Sequence, residues 1–102
     1  MLMYKNTKVN EESQYVPLDD WTNYFYTSDF DLSVTLICKG HTLATIDAEP
    51  SGKLIFVFKK NTGMGDVVDG YWTNKILVNP LEFANARKNL KSRIFGIRKN
   101  WK

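Results

Sequence analysis

Apolar and polar positions fall into short, regular blocks from Trp21 onward, and into none before it. Lys5 to Gln14 is polar apart from Val9. Residues 1–20 therefore read as an arm, flexible or loosely docked, that ends around Pro17 and the acidic pair Asp19 and Asp20. Asn23 to Thr27 is aromatic-rich and predicts a strand with Tyr24 and Tyr26 on one face and Phe25 on the other. Ser28 as N-cap with Asp31 three positions later predicts a helix that runs to about Lys39, where Gly40 supplies the C′ stop. Its apolar face is Phe30, Val34, Ile37 and Cys38, widened by Leu32 and Leu36, with Asp31, Thr35 and Lys39 as the wet stripe.

The pattern then changes period. Thr42 to Asp47 alternates imperfectly, and Lys53 to Lys59 is a continuous β-branched and aromatic run of strand length. Between them Ala48-Glu49-Pro50-Ser51-Gly52 has turn chemistry, so the two segments form a hairpin. From about Thr62, the residues Met64, Val67, Val68, Tyr71 and Trp72 recur at helical spacing. Ile76 to Val78 reads as a short strand. Asn79-Pro80, with Glu82 at the third helical position, opens a last helix that Gly96 would end. The predicted order is β-α-β-β-α-β-α. It defines an α+β fold with a mixed sheet packed by helices, compatible with a ferredoxin-like arrangement of its first six elements. The organisation is an arm (1–20), one domain (21–96) and a basic tail (97–102).

Composition bounds this reading. A chain of 102 residues with 43% hydrophobic and 25% charged content has room for one core and enough apolar surface to fold alone. No apolar run reaches the ~18–20 residues of a membrane-spanning helix. The single cysteine forms no internal disulfide, and the N-terminus lacks the basic-then-apolar order of a signal peptide, so a cytoplasmic protein without membrane contact is expected.

Charge changes the picture more. Residues 1–80 carry seven lysines against ten acids, a net −3, while residues 81–102 carry seven cations against Glu82 alone, a net +6. On a helix turning about 100° per residue, with Leu90 at zero, Phe83, Ala86, Ile94 and Ile97 form a narrow apolar stripe. Arg87, Lys91, Phe95 and Lys88 fall at about 60°, 100°, 140° and 160° on one flank. Glu82 and Arg93 lie on the other. Cations that neutralise phosphate, with an aromatic among them to stack on bases, suit a polyanion. The candidate nucleic-acid-binding residues are Arg87, Lys88, Lys91, Phe95, Arg98, Lys99, Trp101 and Lys102. A plainer account is that cations near a helix C-terminus complement its dipole and solubilise it.

Catalytic chemistry finds little support. Cys38 and His41 are the only thiol and imidazole. Cys38 sits on an apolar face near a helix C-terminus, where the dipole disfavours a thiolate, and His41 reads as a cap. One Cys and one His at this spacing do not make a zinc site. Gly63-Met64-Gly65 lies between a strand and a helix, as in a dinucleotide fingerprint, but Val68 stands where the third glycine belongs. Asp66 with Asp69, and Asp29 with Asp31, lack a third ligand and have ordinary helix-terminus explanations. Ser51 to Phe58 matches an RNA-recognition motif only in its glycine and last aromatic. An open sheet face would let Tyr24, Tyr26, Phe56 and Phe58 stack on single strands, although core packing claims about half of such rings. No metal, cofactor or catalytic residue is expected.

Tyr26-Thr27-Ser28-Asp29, Gly40-His41, Phe56-Val57-Phe58, Tyr71-Trp72, Asn79-Pro80 and Leu90-Lys91 occur in an order that resembles a family of small domains of unknown function found in bacteria and their mobile elements. The resemblance spans about Phe25 to Phe95. It implies a recurrent small domain and a phage or mobile-element setting, and it brings no activity. The expectation is a non-enzymatic module that contacts nucleic acid or a nucleoprotein complex through its basic C-terminal helix and tail. The alternative is a protein-interaction module, such as an inhibitor or accessory subunit of a host or defence complex. A homodimer through the aromatic surface is compatible with either.

Overall fold

A computed structural model of the protein describes residues 23–100, with side chains from Asn23 to Arg98. The predicted arm, Trp101 and Lys102 lie outside the described residues, as does the side chain of Lys99. The elements are β1 (Tyr24–Thr27), α1 (Phe30–Cys38), β2 (Leu43–Ala48), β3 (Leu54–Lys59), α2 (Met64–Trp72) and α3 (Pro80–Asn100). The strands form one sheet in the order β1-β3-β2. It is antiparallel throughout rather than mixed.

The register sorts side chains onto two faces. Phe25 pairs with Phe58 and Thr27 with Phe56, while Leu43, Ile46 and Ala48 pair with Phe58, Phe56 and Leu54. With side chains alternating along a strand, these residues share one face, and all three helices pack on it. Phe56 and Phe58 are buried there together with Leu32, Val34, Leu36, Met64, Val67 and Leu90. The opposite face carries Tyr24, Tyr26, Thr45, Asp47, Ile55, Val57 and Lys59.

α1 packs against both α2 and α3 as well as into the shared core on the sheet, which explains its unusual burial. Leu32 to Leu36 are all buried, Ser33 and Thr35 included. Thr35, expected on a wet stripe, is enclosed because α2 and α3 flank α1. Its hydroxyl donates to the Asp31 carbonyl at 2.9 Å, and Ser33 does the same to Asp29. Neither buried hydroxyl is left unpaired. The N-cap is Asp29, not Ser28: the Leu32 amide donates to Asp29 Oδ1 at 2.9 Å. The C-terminus matches expectation. Gly40 takes φ +89°, its amide bonds the Ile37 carbonyl, and the His41 amide bonds that of Leu36. This is a Schellman turn.

The β2–β3 connection is the expected turn, closed by the Gly52 amide on the Glu49 carbonyl at 2.8 Å. The segment Ile76–Val78 is not a strand. α2 ends in a second Schellman turn at Asn74 (φ +60°), with the Lys75 amide on the Gly70 carbonyl. That turn folds Ile76 back over Gly70, where a Cβ would stand 3.5 Å from the Ile76 side chain. The chain then enters α3 directly, so the fourth strand of a ferredoxin-like order is not formed among the described residues.

Candidate nucleic-acid interface

α3 is set by its first turn. Asn79 Oδ1 accepts from the amides of Leu81 and Glu82 at 2.9 and 3.0 Å, and Pro80 occupies the first helical position, where no amide is needed. Leu90 is buried, and Phe83, Ala86 and Ile94 pack against the core beside it, which fixes the rotation of the helix. The opposite surface is thereby committed to solvent. α3 does not stop at Gly96. It continues to Asn100 and extends for about 30 Å at 1.5 Å per residue. A glycine costs a helix about 1 kcal/mol, too little to break one when Ile94 and Ile97 are both partly buried.

Arg98 is therefore part of the helix and not of a tail. It falls about 80° from Leu90, inside the basic flank. Arg87, Lys88, Lys91, Phe95 and Arg98 line a single open groove along α3, together with Ala84, Ser92 and Ile94. Phe95 is 70% exposed, although a ring of this size gains about 1.5–3 kcal/mol from burial. Arg93 lies on the other flank, as expected.

The cations are not equivalent. Arg87 is tied to the N-terminus of α1: Nε is 3.4 Å from Asp31 Oδ1, and the guanidinium lies 5.3 Å from the centre of the Phe30 ring. Arg98 donates to the Gly52 carbonyl of the β2–β3 turn at 3.4 Å. The one ion pair among the described residues is Arg87–Asp31. Lys88 and Lys91 are exposed and make no ion pair among the described residues.

The other candidates resolve into structural roles. Partial burial pushes the Cys38 thiol above its ordinary range, and Glu82 adds to that effect while Lys39 opposes it. A thiol held protonated is a poor nucleophile. His41 Nδ1 meets Asn61 Oδ1 at 2.7 Å, and its main-chain amide does the capping. Gly63 takes φ +89° at the N-cap of α2 and Gly65 lies in the first turn of that helix, so the pair opens a helix. Asp29 and Asp31 serve a cap and an ion pair, and Asp66 and Asp69 are exposed. Among the described residues no three His, Cys, Asp or Glu side chains gather into a metal-ligating group. The four-ring stacking surface is overturned: Phe56 and Phe58 face the helices and are 2% and 0% exposed, while Tyr24 and Tyr26 lie on the other face.

Two exposed apolar residues, Leu77 and Leu81, escaped the sequence reading. Trp72, Leu77 and Leu81 are 63%, 84% and 68% exposed around the α2–α3 connection. Helical spacing alone places Trp72 in the core. α2 ends on it, so only Met64, Val67, Val68 and Tyr71 reach the core cluster.

The fold and this surface define a small α+β domain that carries a basic helix on one side of an antiparallel sheet. The chain belongs to the family described as Domain of unknown function (DUF5659), which matches residues 22–96. No curated protein and no solved structure matches it. Among the described residues, no helix is long and apolar enough to cross a membrane.

Proposed function

We propose that this domain is a non-enzymatic, cytoplasmic binding module that contacts nucleic acid or a nucleoprotein complex through α3. One observation carries the reading: Lys88, Lys91, Phe95 and Arg98 share an open groove in which the ring is exposed and both lysines are unpaired among the described residues. Such an arrangement supplies phosphate neutralisation and a stacking or wedging ring together. Lys99, Trp101 and Lys102 extend the same basic sequence.

Fluorescence anisotropy with labelled single- and double-stranded RNA and DNA at two salt concentrations tests it. Salt-sensitive binding is expected, with a shallower salt slope in the Lys88→Gln/Lys91→Gln/Arg98→Gln variant. Absence of binding at low salt, where a basic face shows itself most strongly, overturns it. Unchanged binding by the variant overturns the assignment to α3.

Trp72, Leu77 and Leu81 favour a second reading, a protein-interaction module of phage or mobile-element origin that inhibits or joins a host or defence complex. Exposed aromatic and aliphatic side chains are common anchors of a protein interface. A stoichiometric partner that survives nuclease treatment and is lost in Trp72→Ala supports this reading. Self-association through the same residues is read by sedimentation.

A further inference from the structure

Phe95 is set apart on α3 by what surrounds it. On a helix surface a side chain meets those three and four positions away. For Phe95 these include Lys91 and Ser92 on one side and Arg98 on the other. Among the described residues no carboxylate lines the groove they share. Arg98 is steadied by donating one N–H to the Gly52 carbonyl, and its guanidinium has others to give. The ring itself is 70% exposed. The ring contacts among the described residues are Phe30 with Phe56, Tyr71 with Trp72, and Arg87 over Phe30, and none of them uses Phe95. Along the helix axis Phe95 is about 6 Å from Lys91 and about 4.5 Å from Arg98. A flat apolar face is thus held between two cations on one line.

We propose that the α3 groove takes single-stranded nucleic acid, with one base stacked on Phe95 and the flanking phosphates on Lys91 and Arg98. This rests on the nucleic-acid reading of α3 and narrows it to one class of ligand. A single strand offers open base faces, and an aromatic ring stacks on them whatever the sequence. In a duplex those faces are already stacked, so a ring enters only by unstacking a step and kinking the helix. A helix that reads duplex DNA also needs polar side chains aimed at base edges in the major groove. Here Ser92 is the one uncharged polar residue among the described residues of the groove, beside Ala84, Ile94 and Phe95. Cations with a stacking ring therefore fit a strand whose bases are free. The ring does not tell ribose from deoxyribose, so RNA and DNA share this chemistry.

Affinities of the full chain for oligothymidylate, oligouridylate, an abasic DNA strand and a DNA duplex of equal length test this. A face that is merely basic favours the duplex, whose charge density is higher. Stacking on Phe95 should reverse that order, with the single strands bound at least about tenfold tighter than the duplex or the abasic strand. Phe95→Leu should lose about tenfold on the single strands with the salt slope unchanged, and Phe95→Tyr should keep the affinity. Leucine is the informative change: it suits a helix and can wedge between base pairs as phenylalanine does, but it cannot stack. Either oligomer as the tighter ligand supports the proposal and says which backbone is preferred. Duplex binding as tight as single-strand binding overturns it, and so does equal binding of the abasic strand or an unaffected Phe95→Leu. Those results leave the basic face of α3 standing as a nucleic-acid contact. Binding to none of the four overturns the nucleic-acid reading, and this proposal with it.

Discussion

Tyr71 donates its hydroxyl to the carboxylate of Asp29, 3.2 Å from one oxygen and 3.4 Å from the other, across 42 positions of sequence. The same Asp29 side chain caps α1 by accepting from the Leu32 amide, and the Asp29 amide is held by the Thr27 hydroxyl at 3.0 Å. One residue thus joins the end of β1, the start of α1 and the last turn of α2. The packing of α2 against α1 depends on this polar knot as well as on Met64 and Val67.

Removing the two partners should have unequal effects. Tyr71→Phe keeps the ring and loses one half-buried hydrogen bond to a charged group, for an expected cost of about 1 kcal/mol. Asp29→Ala loses that bond and the cap, which alone is worth about 0.5–2 kcal/mol, so it should be the more damaging. Urea unfolding of both and of the double variant checks this. The double variant should fall short of the sum, because the two residues share one interaction.

The pair also sets an alkaline limit. Desolvation, then the charge of Asp29 and the hydrogen bond to it, raise the Tyr71 pKa above its ordinary value near 10. The folded state therefore holds this proton more tightly than the unfolded state. The stabilisation is fully present below about pH 10 and is lost as pH rises through the raised folded value. Thermal unfolding of wild type and Tyr71→Phe between pH 8 and 11 should show a stability difference that shrinks over that window. A constant difference would contradict the assignment.

Local chemistry was legible in the sequence where a residue acts through its own backbone. Gly40, Asn79-Pro80 and the Glu49 to Gly52 turn all do what their residue types dictate, and the apolar spacing of Phe83, Ala86, Leu90 and Ile94 oriented α3 correctly. Failures came where a distant neighbour decided. Ser28 and Asp29 are both good caps, and Tyr71 is what favours Asp29. Ile76–Val78 has strand composition, but Asn74 and the fit of Ile76 on Gly70 keep it out of the sheet. Thr35 looked solvent-facing because nothing local records that two helices flank α1. In the basic groove, charge and period located Lys88, Lys91 and Phe95. They did not show that Arg87 is shared with Asp31 and Phe30, or that Arg98 belongs to the helix.

Two glycines should respond in opposite directions to the same substitution. Gly40 holds φ +89° with open space where a Cβ would stand, so Gly40→Ala brings no clash but a strained backbone. A loss of about 1 kcal/mol is expected. Gly96 lies within α3 at negative φ, also with nothing within 4 Å of the position a Cβ would take, and Gly96→Ala should gain about 0.5–1 kcal/mol. Denaturant midpoints measured side by side give both signs. A gain at Gly96 confirms that the helix runs through it in solution.

Arg87 and Lys91 stand one turn apart on the same flank, yet neutralising them should produce different results. Arg87 spends its charge on Asp31 and its plane on Phe30. The pair is exposed, so the ion pair contributes only about 0.2–1 kcal/mol, and the contact with the ring about 0.5–1 kcal/mol more. Arg87→Gln should therefore lower stability by about 1 kcal/mol, with a modest effect on polyanion binding because the guanidinium is already partnered. Among the described residues Lys91 has no such tie, so Lys91→Gln should leave the unfolding curve within about 0.5 kcal/mol of wild type. If Lys91 meets a phosphate, the same change lowers the slope of log K against log salt by about 1. The two readouts separate a cation that holds the fold from one that is free for a ligand. Lys91→Gln with an unchanged salt slope would remove it from the interface, and Arg87→Gln with unchanged stability would show that its tie to α1 contributes nothing in solution.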